Sequence, residues 1–592
     1  MANIVRIAPK TWEQSGIKLM KKRERSIILT KGESTMRNFA RITSTLLATA
    51  LCTSAAFATT YSQKTYLATR PAGVNLAMEY TTWNDHAYRS NKGREHKVHS
   101  HLQATGFYQD STNGKDLGKY FGIGNGKNSF QVGDQAAIEA GTSEVDGRFL
   151  IHRADTGDNI VNLGTTAPHK LAGLVSFNPR QELWGVRFDY FQDICHGLFL
   201  KANLPVVNVS NDMRMRICNS VPQTVDDDDA ATTTFSLQDF FAGRVNVDAA
   251  TDPVNQQSPL TKAKICGKRS ATGVADIDLA LGYKVWDQEE SHVYLNLGVA
   301  IPTGRKPNGV YVFEPVYGNG GHVGFGAGLD AGVEFWHAKK CSARVLFAAN
   351  YRYLFEGDET RTLGVANGSC NTPCPTPCGS TSSSSGTGNF PWDVKSPAQP
   401  TTALITPRPP KLLQYYLVAA DQQQNKPLQP AANILTRRVD VTPGSQLDGI
   451  VDLNFKCSGF IADLGYNLFW KEREKVCAKS LSCQTACDGT SLDVNYGFAH
   501  PHYSTADLFN DQKTVSVETT PIDGKFINAN LSTAPATTPS TLTNKIFAGL
   551  GYGFEISDKY PTSVGVGGSY EFASNNAAIE AWSVWLKACI SF

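Results

Sequence analysis

Trp582-Ser583-Val584-Trp585-Leu586-Lys587-Ala588-Cys589-Ile590-Ser591-Phe592 is the stretch that decides the fold. Trp582, Val584, Leu586, Ala588, Ile590 and Phe592 fall on one side of a period-two pattern, and Ser583, Trp585, Lys587, Cys589 and Ser591 on the other. Successive side chains of a strand point to opposite faces, so this is a strand with one apolar and one mixed face. The pattern recurs upstream. Ile277, Leu279, Leu281, Tyr283 and Val285 alternate with Asp276, Asp278, Ala280, Gly282 and Lys284. Phe460, Ala462, Leu464, Tyr466, Leu468 and Trp470 are opposed by Asp463, Gly465 and Asn467. A soluble sandwich also alternates. Here the apolar side is aromatic or branched while the other carries glycine and charge, the arrangement of an apolar band around a polar interior.

Composition agrees. With 592 residues, 41% hydrophobic residues and a net charge of +2, the chain has neither the apolar bulk of a helical membrane protein nor a basic stripe for nucleic acid. Past residue 60 no apolar run reaches the ~18 residues a spanning helix needs. Mean hydropathy of -0.27 is what alternating lipid-facing and interior residues average to. The one apolar segment, Ile42 to Leu51, follows Met36, Arg37 and Arg41 and precedes Ala56-Phe57-Ala58. That is a signal peptide over 36–58, which makes 1–35 an extension upstream of a start at Met36; a leader beginning at Met20, with Lys21-Lys22-Arg23, is the other reading. Removing Cys52 leaves twelve of thirteen cysteines, an even number suited to an oxidising compartment.

Connections between strands also alternate, short at 194–197, 287–291, 337–341, 457–459 and 558–561, long at 213–272, 302–321, 357–440 and 474–540. The expectation is an all-β, membrane-spanning, up-and-down antiparallel barrel over 97–592 of about fourteen strands, twelve to sixteen, with short periplasmic turns and long outer loops. Eleven strands are strongly patterned, and 97–109, 143–152 and 170–178 complete the count. Residues 59–96 then lie in the periplasm or in the mouth of the lumen. The Ser-rich and Pro-rich stretch 366–410 is expected to be a surface loop, Asp226 to Asp229 a solvated acidic tip, and SLQDFFAGRV (236–245) a short amphipathic helix over or in the lumen.

This topology sorts the cysteines. Cys218 and Cys266 bracket one outer loop, whose base a disulfide would tie; Cys370, Cys374 and Cys378 share a second, and Cys477, Cys483 and Cys487 a third. These eight are disulfide candidates of undetermined connectivity. Cys195, Cys341, Cys457 and Cys589 gather at the turn end. Cys-x3-Cys spacing without a partnering histidine in an oxidising compartment argues against metal. His99, His101, His152, His169, His196, His500 and His502 lack a matching nucleophile, so no catalytic residues and no cofactor are expected.

The mixed faces supply a lumen lining: Arg187, Asp189, Lys201, Asp276, Asp278, Lys284, Asp330, Glu334, Arg344, Arg352, Asp448, Asp452, Asp463, Lys545, Glu555 and Lys587, with Asn203 and Glu571 beside them. Mixed signs suit polar solutes and set no strong ion preference.

Two resemblances extend this reading. The terminal strand resembles the closing strand of bacterial outer-membrane β-barrels, which implies an assembly signal at Trp582, Leu586, Ile590 and Phe592. Within Gly273 to Trp336, GVADIDLALGY is followed by a strand ending IPTGRKP and then FEPVYGNGGHVGFGAGLDAG. A G-x-x-D strand followed by one closing in P-T-G resembles the outer-membrane barrel family of the meta-pathway of phenol degradation. That resemblance implies a transporter-like channel for small, often aromatic molecules; the long cysteine-bearing loops set this chain apart from it. The expected partners are outer-membrane lipid and lipopolysaccharide, the barrel-assembly machinery and small solutes, with a homo-oligomer left open. Two functions follow: a porin-like outer-membrane channel of a Gram-negative-type bacterium with passive or weakly selective transport, or a surface protein whose barrel anchors disulfide-tied loops for adhesion.

Overall fold

The computed structural model describes residues 62–82, 99–225, 233–247, 256–365, 416, 418–421, 427–478, 496–498 and 531–592, with gaps inside these ranges at 123–125, 134–141, 148–149, 152–170, 289, 557–559 and 574–576. Residues 1–35, the signal peptide 36–58, Asp226 to Asp229, the stretch 366–410 and Cys370, Cys374, Cys378, Cys483 and Cys487 lie outside the described residues.

Twelve strands close on themselves: β1 (Ser100–Ser111), β2 (Arg180–Cys195), β3 (Leu198–Asp212), β4 (Ile277–Asp287), β5 (Ser291–Ile301), β6 (Gly324–Ala338), β7 (Cys341–Leu354), β8 (Gly444–Cys457), β9 (Phe460–Lys471), β10 (Thr541–Ile556), β11 (Tyr560–Ala573) and β12 (Ala581–Ser591). Each pairs antiparallel with its neighbour in sequence, and β12 closes the barrel on β1 through a register running from His101 opposite Ser591 to Ser111 opposite Ala581. Closure leaves no open edge, the condition for strands to stand in lipid. A short strand, Arg269–Val274, pairs with the upper part of β3 while β4 pairs with the lower part. The change of partner falls around Pro205, which has no N–H to donate, and Ala275 N donates to the Pro205 carbonyl there.

Two of the turns are two-residue connections with positive φ at both positions, His196 (48°) and Gly197 (86°), and Ser458 (50°) and Gly459 (89°). Such turns match the right-handed twist of a hairpin. They share the turn end with Ser100, which exchanges backbone hydrogen bonds with Phe592.

Twelve strands lie at the lower end of the expected twelve to sixteen, two fewer than the fourteen segments named. The segments 143–152 and 170–178 supply only Val145–Asp146 and Ala172–Ser176, paired in a separate four-stranded sheet with Ser129–Gly133 and Arg216–Val221. Two and five residues are too short to cross a bilayer as strands of ~9–11 residues do. Val145 and Val175 are instead buried in a hydrophobic core that the long connections build at the other end of the barrel. This cap gathers Phe130, Phe177, Phe313, Tyr416 and Leu435 around the helix Leu237–Ala242. That helix begins with a reciprocal capping box between Ser236 and Asp239 and ends at Gly243 in the left-handed region, so SLQDFFAGRV folds as a helix into the cap.

The two faces of the wall differ as the alternation requires. Outward side chains stay exposed, Leu586 at 69%, Leu297 at 59% and Leu464 at 56%, with Trp184, Trp582 and Phe592 among them. Inward neighbours are buried, and on β12 these include Ser583, Trp585, Lys587 and Cys589. An exposed apolar surface running around the whole barrel belongs in hydrocarbon, not water.

Candidate functional site: an interior filled by the N-terminal segment

Residues 62–82 run down the inside of the barrel from the cap end to the turn end. At the top, Lys64 N donates to the Tyr120 carbonyl, Thr65 N to the Pro535 carbonyl, and Thr65 Oγ1 to the Thr362 carbonyl. Tyr66 lies beneath the Arg361 guanidinium, 3.9 Å from its carbon. Arg361 also bridges Glu359 (2.5 Å) and Glu474 (2.6 Å), and Glu474 takes a further hydrogen bond from Lys471 at 3.0 Å. Burial alone would raise the Glu474 carboxyl. Arg361 and Lys471 outweigh it and hold that carboxyl below the usual range. Burial, helped by Arg473, pulls the Lys64 ammonium down to about 8.

Midway, Arg70 reaches Asp448 (3.0 Å), Glu571 (3.2 Å) and Asn467 (3.0 Å), and Lys545 holds the other oxygen of Glu571 at 3.0 Å. One turn below, Asn75 caps the helix Leu76–Tyr80 by accepting from Met78 N. This places Glu79 between Arg187 (2.7 Å) and Lys201 (2.8 Å), while Arg187 also binds Asp189 and the carbonyls of Gly73 and Asn75. Tyr80 donates to Asp330, which His292 meets at 2.8 Å. At the foot, Lys587 donates to the carbonyls of Glu79 (2.8 Å) and Thr81 (2.6 Å), and Thr82 N to Asp463 at 2.6 Å.

Close approach has a sequence cause. Gly549 on β10 and Gly565 on β11 face Thr81 and Thr82, and a Cβ on either would collide with their side chains. Ion pairs fix the segment in height; the glycines let it lie flat against β10 and β11.

Of the residues named from the sequence, Arg187, Asp189, Lys201, Asp330, Asp448, Asp463, Lys545 and Lys587 belong to this network. Asp452 is buried beside them with no hydrogen-bond donor to either oxygen. Asp278 pairs with Arg352 (2.7 Å), Arg344 with Glu334 (2.9 Å), and Lys284 with Asp193 (2.5 Å), all within the wall. Two stand elsewhere. Glu555 is exposed at the turn end. Asp276 sits at the break between the short strand and β4, accepting from Gly304 N (3.1 Å) and from Asn319 N (2.7 Å) and Nδ2 (2.5 Å). The G-x-x-D and P-T-G elements thus touch each other, with Thr303 Oγ1 donating to the Ala275 carbonyl at 2.6 Å. Gly318, at φ 81°, packs against the same carboxylate where no side chain fits. The paired motif is a clasp at the rim.

Two of the candidate disulfide cysteines depart from expectation. Cys218 and Cys266 are free thiols: Cys218 is held opposite Leu174 in the cap sheet, while Cys266 follows Ile265, whose N–H is bound to the Phe241 carbonyl, so different elements carry them. Cys477 is disulfide-bonded. Cys341 and Cys457, directly opposite on β7 and β8, form a disulfide at the turn end. Cys195 and Cys589 are free.

The functional residues that the strand pattern did not reveal are Arg70, Glu79, Tyr80 and Thr82, since the segment carrying them has no strand period. The available signal was the surplus of inward charges on the wall, which needed partners from somewhere.

Beside the segment, against β2 to β8, an open cavity remains, with about 110 Å³ of room for water. Asn296, Asn350, Gly298, Ala300 and Gly326 line its far wall. Closed barrel, apolar exterior and charged interior define a membrane-spanning β-barrel whose lumen holds its own N-terminal segment. No protein-family model matches the chain, and no curated protein sequence does. Among solved structures it is similar to an outer-membrane channel from Pseudomonas putida F1, at 8% identity over 84% of this chain and 96% of that one, with a TM-score of 0.31. It is also similar to the Pseudomonas putida toluene transporter TodX (6% identity, 90% and 99% covered, TM-score 0.26) and to the CymD monoaromatic hydrocarbon channel (7%, 88% and 97%, TM-score 0.23).

Proposed function

We propose that this protein is an outer-membrane channel for small solutes, held closed by residues 62–82. The observation that carries the reading is the interior. A barrel that only anchored loops could fill its lumen with wall side chains. Here a separate strand of chain is seated on ion pairs that leave a cavity along one side. Twelve strands fall between a side-chain-filled eight and an open sixteen, so removing a single segment would leave a narrow passage. Balanced charge along it suits passive or weakly selective transport, and the G-x-x-D and P-T-G resemblance supports a small-molecule channel. The charged face points inward, the terminal strand carries the assembly signal at Trp582, Leu586, Ile590 and Phe592, and the cap faces outward from the cell.

One observation favours display as a second role. The cap has a hydrophobic core of its own, with Phe130, Leu237 and Phe241 fully buried. Planar-bilayer recording of the intact protein and of a variant lacking 62–82 separates the two roles. Rare or small openings that become large and sustained in the deletion support a closed channel. Silence in both forms, with each shown folded by heat-modifiable migration, leaves the barrel as an anchor.

A further inference from the structure

The stretch FEPVYGNGGHVGFGAGLDAG contains a run that the rim clasp uses only in part, Gly318-Asn319-Gly320-Gly321-His322. Its first half belongs to the rim. Gly318 packs on the Asp276 carboxylate, and Asn319 gives that carboxylate both its backbone N–H and its side-chain amide. Its second half reaches the cap. The two ring nitrogens of His322 meet the Phe355 carbonyl and the Glu359 carboxylate, each at 2.9 Å. Both partners are acceptors, so a ring carrying both protons satisfies both. The second Glu359 oxygen takes Arg361 Nε at 2.5 Å, and the Arg361 guanidinium lies over Tyr66 of the N-terminal segment. Asp276 and Tyr66 are thus joined through Asn319, His322, Glu359 and Arg361.

The backbone between the two halves is short and fixed in shape. Gly318, Gly320 and Gly321 have φ of 81°, 70° and 86°, which side chains rarely adopt. A Cβ on Gly320 would strike Glu359 Oε1, and one on Gly321 the Lys306 side chain. So closely packed a turn passes a shift at one end to the other rather than absorbing it. His322 and Glu359 are 1% and 4% exposed, so water does not replace either partner if they separate.

We propose that residues 318–322 couple the rim clasp to the latch on the N-terminal segment, with His322 the positioning residue that holds Glu359, and through it Arg361, over Tyr66. Loosening the clasp then frees the top of the segment, while Arg70 and Glu79 keep the lower part seated. The proposal rests on the closed-channel reading for its purpose, but its test needs no current.

The test is trypsin cleavage after Lys64, quantified by mass spectrometry on the intact protein in detergent. Lys64 is buried, so cleavage there follows the population in which the top of the segment is released. Each variant is first shown folded by heat-modifiable migration. His322→Phe keeps a ring and removes both donors, and should speed cleavage about tenfold, as loss of one charge-assisted hydrogen bond would. His322→Gln, whose amide carries two N–H groups, should restore most of the protection. Asn319→Leu, at the far end of the link, should also speed cleavage, and combining it with His322→Phe should give less than the product of the two effects. Unchanged protection in His322→Phe, or His322→Gln as exposed as His322→Phe, shows a space-filling role and overturns the proposal. Fully multiplicative effects of Asn319→Leu and His322→Phe, or no effect of Asn319→Leu, overturn the coupling. Silence of the form lacking 62–82 in planar bilayers overturns the channel reading instead; cleavage after Lys64 decides the link in either case.

Discussion

The two sides of the barrel interior face the same N-terminal segment and treat it differently. Along β8 to β12, Asp448, Asp463, Glu571 and Lys587 bind it, and Gly549 and Gly565 let its backbone lie against the wall. Along β4 to β7, among the described residues, only Asp330 takes a hydrogen bond from the segment, through Tyr80; Asp278 turns to Arg352, and a cavity lined by Asn296 and Asn350 is left. One side is a seat and the other a passage. Alternation alone produces polar residues on both; the distribution of glycine and of uncommitted partners separates them.

The comparison breaks most readily at Arg70. Arg70→Ala leaves Asp448 and Glu571 short of a buried partner, a loss of about 3–5 kcal/mol. The expected result is sustained opening in planar bilayers with the barrel still heat-modifiable; unchanged closed-state current would show that Arg70 does not seat the segment. Gly565→Val should act less strongly, because it pushes Thr82 away without removing an ion pair. Raised open probability together with a trypsin-accessible N-terminal segment would confirm it. The equivalent change on the passage side, Gly298→Val, should narrow the cavity and lower current through the deletion form while leaving the segment protected.

Reading the strands from sequence succeeded where one rule governs the residue. Leu586, Leu464 and Leu297 face out because lipid requires it, and their period-two spacing shows it directly. The seat was illegible for a physical reason. Arg70 and Glu79 are placed by partners more than a hundred residues away, such as Arg187 and Asp448, and their segment has no period of its own. The cap hid in the same way: Val145 and Val175 look like strand residues, and they are, but their burial comes from a core assembled out of several connections. Cys341 and Cys457 could be placed at one end of the barrel from turn lengths, while their pairing needed the register that sets them opposite each other.

A smaller effect is expected at the top of the segment, where Tyr66 is held under Arg361 and Glu474. Because the Glu474 carboxyl lies below its ordinary 4.5 in the folded protein, it contributes stability above that value and loses it as pH falls further. Protease sensitivity of the upper segment should therefore rise below pH 4.5, and Glu474→Gln should flatten that rise. A profile identical in both proteins would remove Glu474 from the latch.

The most direct measurement of the seat and the passage is cysteine accessibility from the aqueous side. In a background where Cys195, Cys218, Cys266 and Cys589 are replaced by serine, Asn350→Cys places a thiol on the passage side, and Thr543→Cys, where the buried hydroxyl on β10 donates to Glu571 at 2.5 Å, places one on the seat side. A membrane-impermeant methanethiosulfonate should modify the Asn350→Cys protein rapidly and the Thr543→Cys protein only when Arg70→Ala is also present. Equal modification of both thiols in the otherwise intact protein would contradict a segment seated against one side of the wall.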